Sequence, residues 1–282
     1  MTISVVICSY KGNEQLTQAC IVSLELQKLK PDEIIVVVDT DAERTFFSEV
    51  LTSLIPMKIL ATGKQGLVAA RNTGVINSTG DIIAFIDDDA TADPDWLSTI
   101  KQSFMDNPDF IVVGGPVKPI FKGKAIDQSL NWIVGCTSEN PPTRRPIGCN
   151  FVVRRQAFDI IGTFDDELGR SKSDLKSGEE TELFLRIQRH LPNYIIYYNQ
   201  NAIVYHHVSE KRTKLRYIVT RAFAEGGTKA RTRKKYSTKV EQSYLLYYLR
   251  HLNLLVVLVV FVAGLGYARD ILKNGGSSSK LV

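Results

Sequence analysis

The stretch Asp81-Ile-Ile-Ala-Phe-Ile-Asp87-Asp88-Asp89 decides the fold. An apolar run of strand length ends in three adjacent carboxylates, and adjacent carboxylates repel one another. Folding alone gives no reason to gather them at the end of a buried strand. A hard divalent cation, Mn2+ or Mg2+, offsets the repulsion because it prefers carboxylate oxygens and shares them with phosphate. Ligands of open α/β sheets sit just beyond the carboxyl ends of the strands, where this triplet falls. The competing reading is an acidic loop or helix cap, since Asp is common in both.

Working outward, the neighbouring segments agree with a sheet. Ile3-Ser-Val-Val-Ile-Cys-Ser9 and Glu33-Ile-Ile-Val-Val-Val-Asp39 are apolar throughout, as strands buried on both faces are. Between them Leu16, Cys20 and Leu24 recur at spacing four, which predicts a helix with Asn13 as its N-cap. The βαβ pattern implies a mostly parallel sheet flanked by helices. A helix at about 42–54, a strand Met57–Ala61, a loop Thr62–Gly66 and a helix Leu67–Ile76 then lead to the acidic strand. Pro94 reads as a first-turn proline of a helix bearing Leu97, Ile100 and Phe104. Phe110–Val113 is a further strand, and 116–147, with its prolines, reads as mainly loop. Asn150–Arg154 returns to strand, Arg155–Ile161 and Glu179–His190 to helix. The polar stretch 165–178 between those helices reads as a mobile flap. Tyr194–Tyr197 and Ala202–Tyr205 are strand-like and lead to His206-His207.

Charge divides the chain. The formal net charge of +5 combines −7 over residues 1–210 with +12 over 211–282. An acidic body with a basic tail favours an anionic partner, a membrane surface or nucleic acid. Residues 211–239 hold eleven Lys or Arg and one acid, Glu225. The uncharged run Leu254–Ala268 follows, with Leu252 and Asn253 before it. Its roughly 17 residues reach the lower limit for a membrane span. Because it is apolar on every side and little chain follows, it is expected to insert in a membrane rather than fill a core. A polybasic segment beside such a run is what an anionic bilayer attracts, so nucleic acid is not an expected partner. The organisation expected is a catalytic body at 1–210, a basic amphipathic juxtamembrane segment at 211–240, a membrane helix at 241–272 and a linker-like tail at 273–282. No signal peptide is read before the first strand. Cys8, Cys20, Cys136 and Cys149 lack zinc spacing and are read as reduced, in a cytosolic body.

Seven pieces in one order carry a resemblance: strand–Ser9-Tyr10, strand–Asp39, Ala70-Arg71-Asn72-x-Gly74, Asp87-Asp88-Asp89, Gly148-Cys-Asn150, Gly178-Glu-Glu180 and Val204-Tyr-His206. Over about residues 1–207 the chain resembles a family 2 glycosyltransferase with the GT-A fold, a Rossmann-like α/β sheet. The segment around Glu225-Gly-Gly-Thr-Lys229-Ala is similar to membrane-associated members that glycosylate polyprenyl- or dolichyl-linked intermediates. The resemblance implies an inverting, metal-dependent transfer from a nucleotide sugar, UDP-linked in the commonest case, to a hydroxyl of a lipid-linked or membrane-proximal acceptor. It puts Asp39, Ser9 and Tyr10 at the nucleoside, and Lys64 and Arg71 at the donor phosphates. It implies that Asp87 and Asp89 hold Mn2+ or Mg2+, and that Asp88 contacts ribose or metal. By the same resemblance His206 is expected as a further metal ligand, with His207 leaving the register open. Glu180 stands where the family has the aspartate that serves as general base, one methylene longer.

Four alternatives compete. An acceptor that is a lipid phosphate would arrive ionised and need no base. A processive synthase would carry Gln-x-x-Arg-Trp, and a nucleotidyltransferase would carry Gly-x-Gly-x-Arg after the first strand; neither motif occurs. A membrane-bound protein that binds a nucleotide sugar or nucleic acid without catalysis would have no use for the metal aspartates. Because nucleotide sugars are cytosolic and the cations precede the apolar run, the body is expected on the cytoplasmic side of the cell membrane.

Overall fold

The computed structural model describes residues 1–10, 12–141, 144–166, 168, 177–236 and 241–275. In chain order its elements are β1 (Ile3–Cys8), α1 (Glu14–Glu25), β2 (Glu33–Val38), α2 (Asp41–Val50), β3 (Met57–Ala61), α3 (Leu67–Asn77), β4 (Ile82–Asp87) and β5 (Ala90–Ala92). There follow α4 (Trp96–Asp106), β6 (Phe110–Gly114), β7 (Val117–Phe121), β8 (Phe151–Arg154), α5 (Arg155–Ile161), α6 (Glu179–His190), β9 (Ile195–Tyr198) and β10 (Val204–Val208). The tail forms α7 (Leu215–Tyr236), α8 (Glu241–Arg250) and α9 (Leu254–Gly275).

The main sheet runs β3-β2-β1-β4-β8-β6-β9. Its first four strands are parallel, as their unbroken apolar runs predict, and β8 is antiparallel to both neighbours. Side-chain alternation sorts β1 between two layers. Ile3, Val5 and Ile7 join a core with Cys20, Ile21 and Leu24 of α1, Phe47 of α2, and Trp96 and Ile100 of α4. Val6 faces the other way, into a core with Val68 and Val75 of α3, Phe158 of α5 and Leu183 of α6. Helices therefore cover both faces, which is why strands without polar alternation are stable here.

A second, smaller sheet, β5-β10-β7, stands beyond the end of β4. Here the expectation of a loop over 116–147 is corrected, because the region contains β7 and a 3-10 turn at Gln128–Val134. Two smaller expectations are also corrected. Pro94 lies before the N-cap Asp95 rather than in the first turn of α4. Asn13 occupies the N-cap position of α1 without capping it, since its side chain bonds Asp88. The flap expected at 165–178 and the tail from 276 fall mostly or wholly outside the described residues.

Asn150 ties the two sheets together. Fully buried, it accepts a hydrogen bond from Trp96 Nε1 at 2.8 Å and donates to the carbonyls of Pro116 and Ala202 at 2.9 and 2.7 Å. Stranding those buried groups would cost about 1–3 kcal/mol each. Its position fixes the turn Gly148–Asn150 at the carboxyl end of β4, because β8 enters there antiparallel.

The tail departs from the single helix expected over 241–272. α8 and α9 are separated at His251–Asn253, where the Asn253 side chain caps α9 by accepting from Val256 N at 2.9 Å. Leu254–Lys273 is long and apolar enough to cross a membrane by length and composition. One side of it is nevertheless covered, by α7: Val256, Val259 and Val262 share a core with Ile218 and Ala222.

Candidate active site

The parallel register brings the carboxyl ends of β1, β2, β3 and β4 to one edge, with Cys8 opposite Asp87 and Val38 opposite Ala61. Asp87 ends β4, Asp89 follows two residues later, and β10 pairs with β5 so that His206 stands opposite Ala90. One ligand atom each from Asp87, Asp89 and His206 falls within 4.8 Å of the others. Strand alternation separates the two histidines: His206 is buried on the side of Asp89, while the His207 ring lies near Thr91 Oγ1 at 3.5 Å.

The three adjacent acids have unlike environments. Burial raises the Asp87 carboxyl, and Asp89 adds to the rise against the pull of Arg71, His206 and Arg212. Burial would raise Asp89 too, but its hydrogen bond to His206 and the charges of His206 and Arg212 outweigh it and hold it at about 2. Asp88 turns inward, accepting from Ser9 Oγ at 2.7 Å, and burial with the neighbouring Asp89 pushes it to about 7. Ser9 is itself buried and also bonds Thr17 Oγ1 at 2.8 Å. Ser9 and Asp88 thus join the β4 end to α1, rather than facing the open edge.

Arg71 lies beneath the site, 2% exposed. Its Nη1 donates to Glu179 Oε1 and its Nη2 to the Gly148 carbonyl, each at 2.8 Å, and Nη2 is 3.8 Å from Asp87. The rings of Phe151 and Phe164 lie 5.6 and 5.7 Å from the guanidinium carbon. Nη1 and Nη2 thus each donate one hydrogen bond to the protein, which anchors Arg71 below the edge. Lys64 is exposed, on the loop after β3, and the Asp39 carboxylate holds that loop by accepting from Gly66 N at 3.3 Å. Tyr10, half exposed, borders the same edge after β1.

Glu179 and Glu180 open α6 behind Gly178, whose φ of +105° suits glycine. The two acids divide. Glu179 is buried on Arg71. Glu180 does not pair with Arg71; its Oε2, like Glu179 Oε2, is sealed from solvent with no hydrogen-bond partner among the described residues. Burial, reinforced by Glu179, pushes the Glu180 carboxyl to about 7 against the opposing charge of Arg71. Such a group can exchange a proton near neutral pH.

Arg212 was not anticipated. It follows β10 on the 3-10 turn Glu210–Thr213, with Nη2 3.1 Å from Asp89 Oδ2 and Nη1 3.0 Å from His206 Nε2. In the sequence it is one cation among eleven in a basic segment. Its distance of six residues from His206 was the only available signal. Cys136, pushed to about 12 by burial, stays a thiol beside His206 Nδ1 at 3.6 Å. On the other side of the ring Nε2 faces Asp89 Oδ1 at 3.1 Å, beside the Arg212 guanidinium. Two carboxylates and an imidazole are a donor set suited to Mn2+ or Mg2+.

The sequence profile of glycosyl transferase family 2 matches residues 4–162. The chain belongs to that family. It is 31% identical over 242 residues to a glucosyl-dolichyl phosphate glucuronosyltransferase of Haloferax volcanii, covering 81% of this chain and 76% of the relative. It is 30% identical to the succinoglycan biosynthesis protein ExoM of Rhizobium meliloti, covering 70% of this chain and 64% of that protein. Among solved structures, the Pyrobaculum calidifontis mannosyltransferase PcManGT in complex with GDP-Man and Mn2+ superposes with a TM-score of 0.59 at 18% identity, over 99% of this chain and 80% of that one. That solved glycosyltransferase shares the GT-A fold found here.

Proposed function

We propose that this family 2 member is an inverting, metal-dependent transferase that moves a sugar, a uronic acid in the first case to test, from a UDP-linked donor to a hydroxyl of a polyprenyl-linked acceptor at the cytoplasmic membrane face. The single observation carrying the reading is Glu180, a carboxyl shifted to about 7 with an unpartnered buried oxygen, adjoining a metal-type cluster. The contacts between them are continuous: a Cβ at Gly148 would lie 3.6 Å from Glu180 Oε1, and Arg71 bonds the Gly148 carbonyl and faces Asp87.

Asp87, Asp89 and His206 would hold Mn2+ or Mg2+, which when bound compensates the charge developing on the departing diphosphate. Asp39 and Tyr10 border the nucleoside, and Lys64 approaches the phosphates from the loop that Asp39 holds. Arg71 acts from below, fixing Glu179 and the Gly148 turn. Ionised Glu180 accepts the acceptor hydroxyl proton as that oxygen attacks the anomeric carbon. The bond from carbon to phosphate oxygen breaks on the opposite side, and its electron pair leaves with the diphosphate. The configuration inverts.

Arg212, beside Asp89 and His206, adds a fixed cation next to the leaving group. Arg212→Ala is expected to lower turnover on the order of 10²-fold, as loss of one charge-stabilising donor does. Lysine should restore only part, since it lacks the planar fork. Unchanged steady-state turnover in the alanine variant would reduce Arg212 to a support for Asp89.

The reaction itself is tested by nucleotide release from a panel of sugar nucleotides with Mn2+ or Mg2+, followed by anomeric analysis of the product. Turnover of one UDP-sugar with inversion is expected. Retention of configuration, or release from none of the panel, would overturn the reading.

A further inference from the structure

The apolar helix α9 is two-sided. Leu254, Val257, Phe261, Leu265 and Leu272 are all exposed and recur at spacings of three, four and seven, which places them on one stripe of a helix. The opposite stripe, Val256, Val259, Val262 and Asp270, is buried. Its cover is α7. Leu215 and Ile218 meet Leu255 around a cleft at one end, and Arg231 pairs with Asp270 at the other, so α7 and α9 run side by side in the same direction. Small residues permit the approach. A Cβ on Gly226 would strike the Ala263 carbonyl, and one on Gly266 the carbonyl of Phe223. Arg269 stacks on Phe223 at 4.5 Å, and Arg233 donates to Tyr267 Oη at 3.0 Å.

At about 1.5 Å per residue the 22 residues of α9 cover roughly 33 Å, enough to cross a bilayer, so length does not decide its placement. Its partner does. A spanning α9 would carry α7, with Arg221, Glu225, Lys229, Arg231 and Arg233, through the hydrocarbon, where charged side chains are rare and costly. We propose that α9 lies in the plane of the membrane interface, its Leu254–Phe261–Leu272 stripe in the acyl boundary of an anionic bilayer and α7 behind it on the cytoplasmic side. Charge complementarity selects the occupant. Exposed Arg216 and Lys234 belong to the same unit, and Arg250 and Lys273 flank the stripe. Leu246, Leu249 and Leu252, also exposed, extend the apolar surface onto α8 and the turn after it. The single span expected from the sequence is thereby replaced by a one-leaflet attachment, whether or not the transfer reaction proposed above is correct.

The test uses the full chain in two assays. In flotation with vesicles of phosphatidylcholine plus phosphatidylglycerol, the double variant Phe261→Glu/Leu265→Glu should bind about tenfold or more weakly than the parent. Its far-UV circular dichroism and thermal midpoint should be unchanged, and the parent should bind phosphatidylcholine alone less well. In sealed cells and inverted vesicles, a Lys273→Cys variant should react with an impermeant maleimide only from the side that the body faces. Labelling from the opposite side alone would establish a span and overturn the proposal. Equal flotation of parent and double variant would overturn it too, and loss of a soluble dimer in that variant would assign the stripe to a second copy.

Discussion

Asp89→Asn is expected to silence transfer while leaving the fold intact. Asn keeps the volume and can still accept from Arg212, which lies 3.1 Å from Oδ2, so the local packing survives. The backbone anchor also persists, because His207 N donates to the Asp89 carbonyl at 2.7 Å. What disappears is the most strongly ionised of the three acids, the one held at about 2. A metal supplies several kcal/mol of charge stabilisation at a leaving oxygen, and each 1.36 kcal/mol is tenfold in rate. The loss should therefore be on the order of 10³-fold or more in kcat, read by nucleotide release with saturating Mn2+. Chelation should silence the parent protein in the same assay. Full activity in excess EDTA, with metal removal confirmed by elemental analysis, would sink the metal hypothesis.

Glu180→Gln is the second large effect. Gln preserves size and hydrogen bonding and removes basicity, so turnover should fall about 10²–10⁴-fold with little change in donor affinity. The pH dependence follows from the raised carboxyl. Only the ionised form accepts a proton, so kcat/KM of the parent should climb about tenfold per pH unit below about 7 and flatten above it. The variant should lack that limb. Undiminished turnover would redirect attention to an acceptor already ionised, such as a lipid phosphate.

The legible parts of the fold share a cause. β1, β2 and β4 are buried on both faces, so their residues had to be apolar without interruption, and the pattern is local. β7 is an edge strand reading Val-Lys-Pro-Ile-Phe, and Pro119 is tolerated there because an edge position needs fewer ladder bonds. By composition it looks like loop. β5 is three residues long, below what any periodicity can report. Asp87 and Asp89 were readable as a pair, whereas the inward turn of Asp88 depends on Ser9 and Asn13, far away in the chain. The split between Glu179 and Glu180 depends likewise on Arg71 and Gly148. The evenly apolar composition of α9 concealed a face, because its partner helix α7 is mostly polar in sequence and covers that face with Ile218, Ala222 and a close-packed Gly226, while its Arg231 reaches Asp270.

The seat of α7 between α9 and the start of α6 makes it a spacer. Its Glu225 accepts from Ser177 Oγ at 2.9 Å, and its Thr228 fills the space where Gly178 would have a side chain. With α9 at the acyl boundary, Glu180 would stand two helix spacings from the α9 axis, on the order of 16–20 Å. Height would then become a criterion of selection separate from any contact with the sugar ring: on the proposed lipid-linked acceptor, a hydroxyl close to the membrane would lie below the carboxylate, and one raised by several sugar units would come level with it.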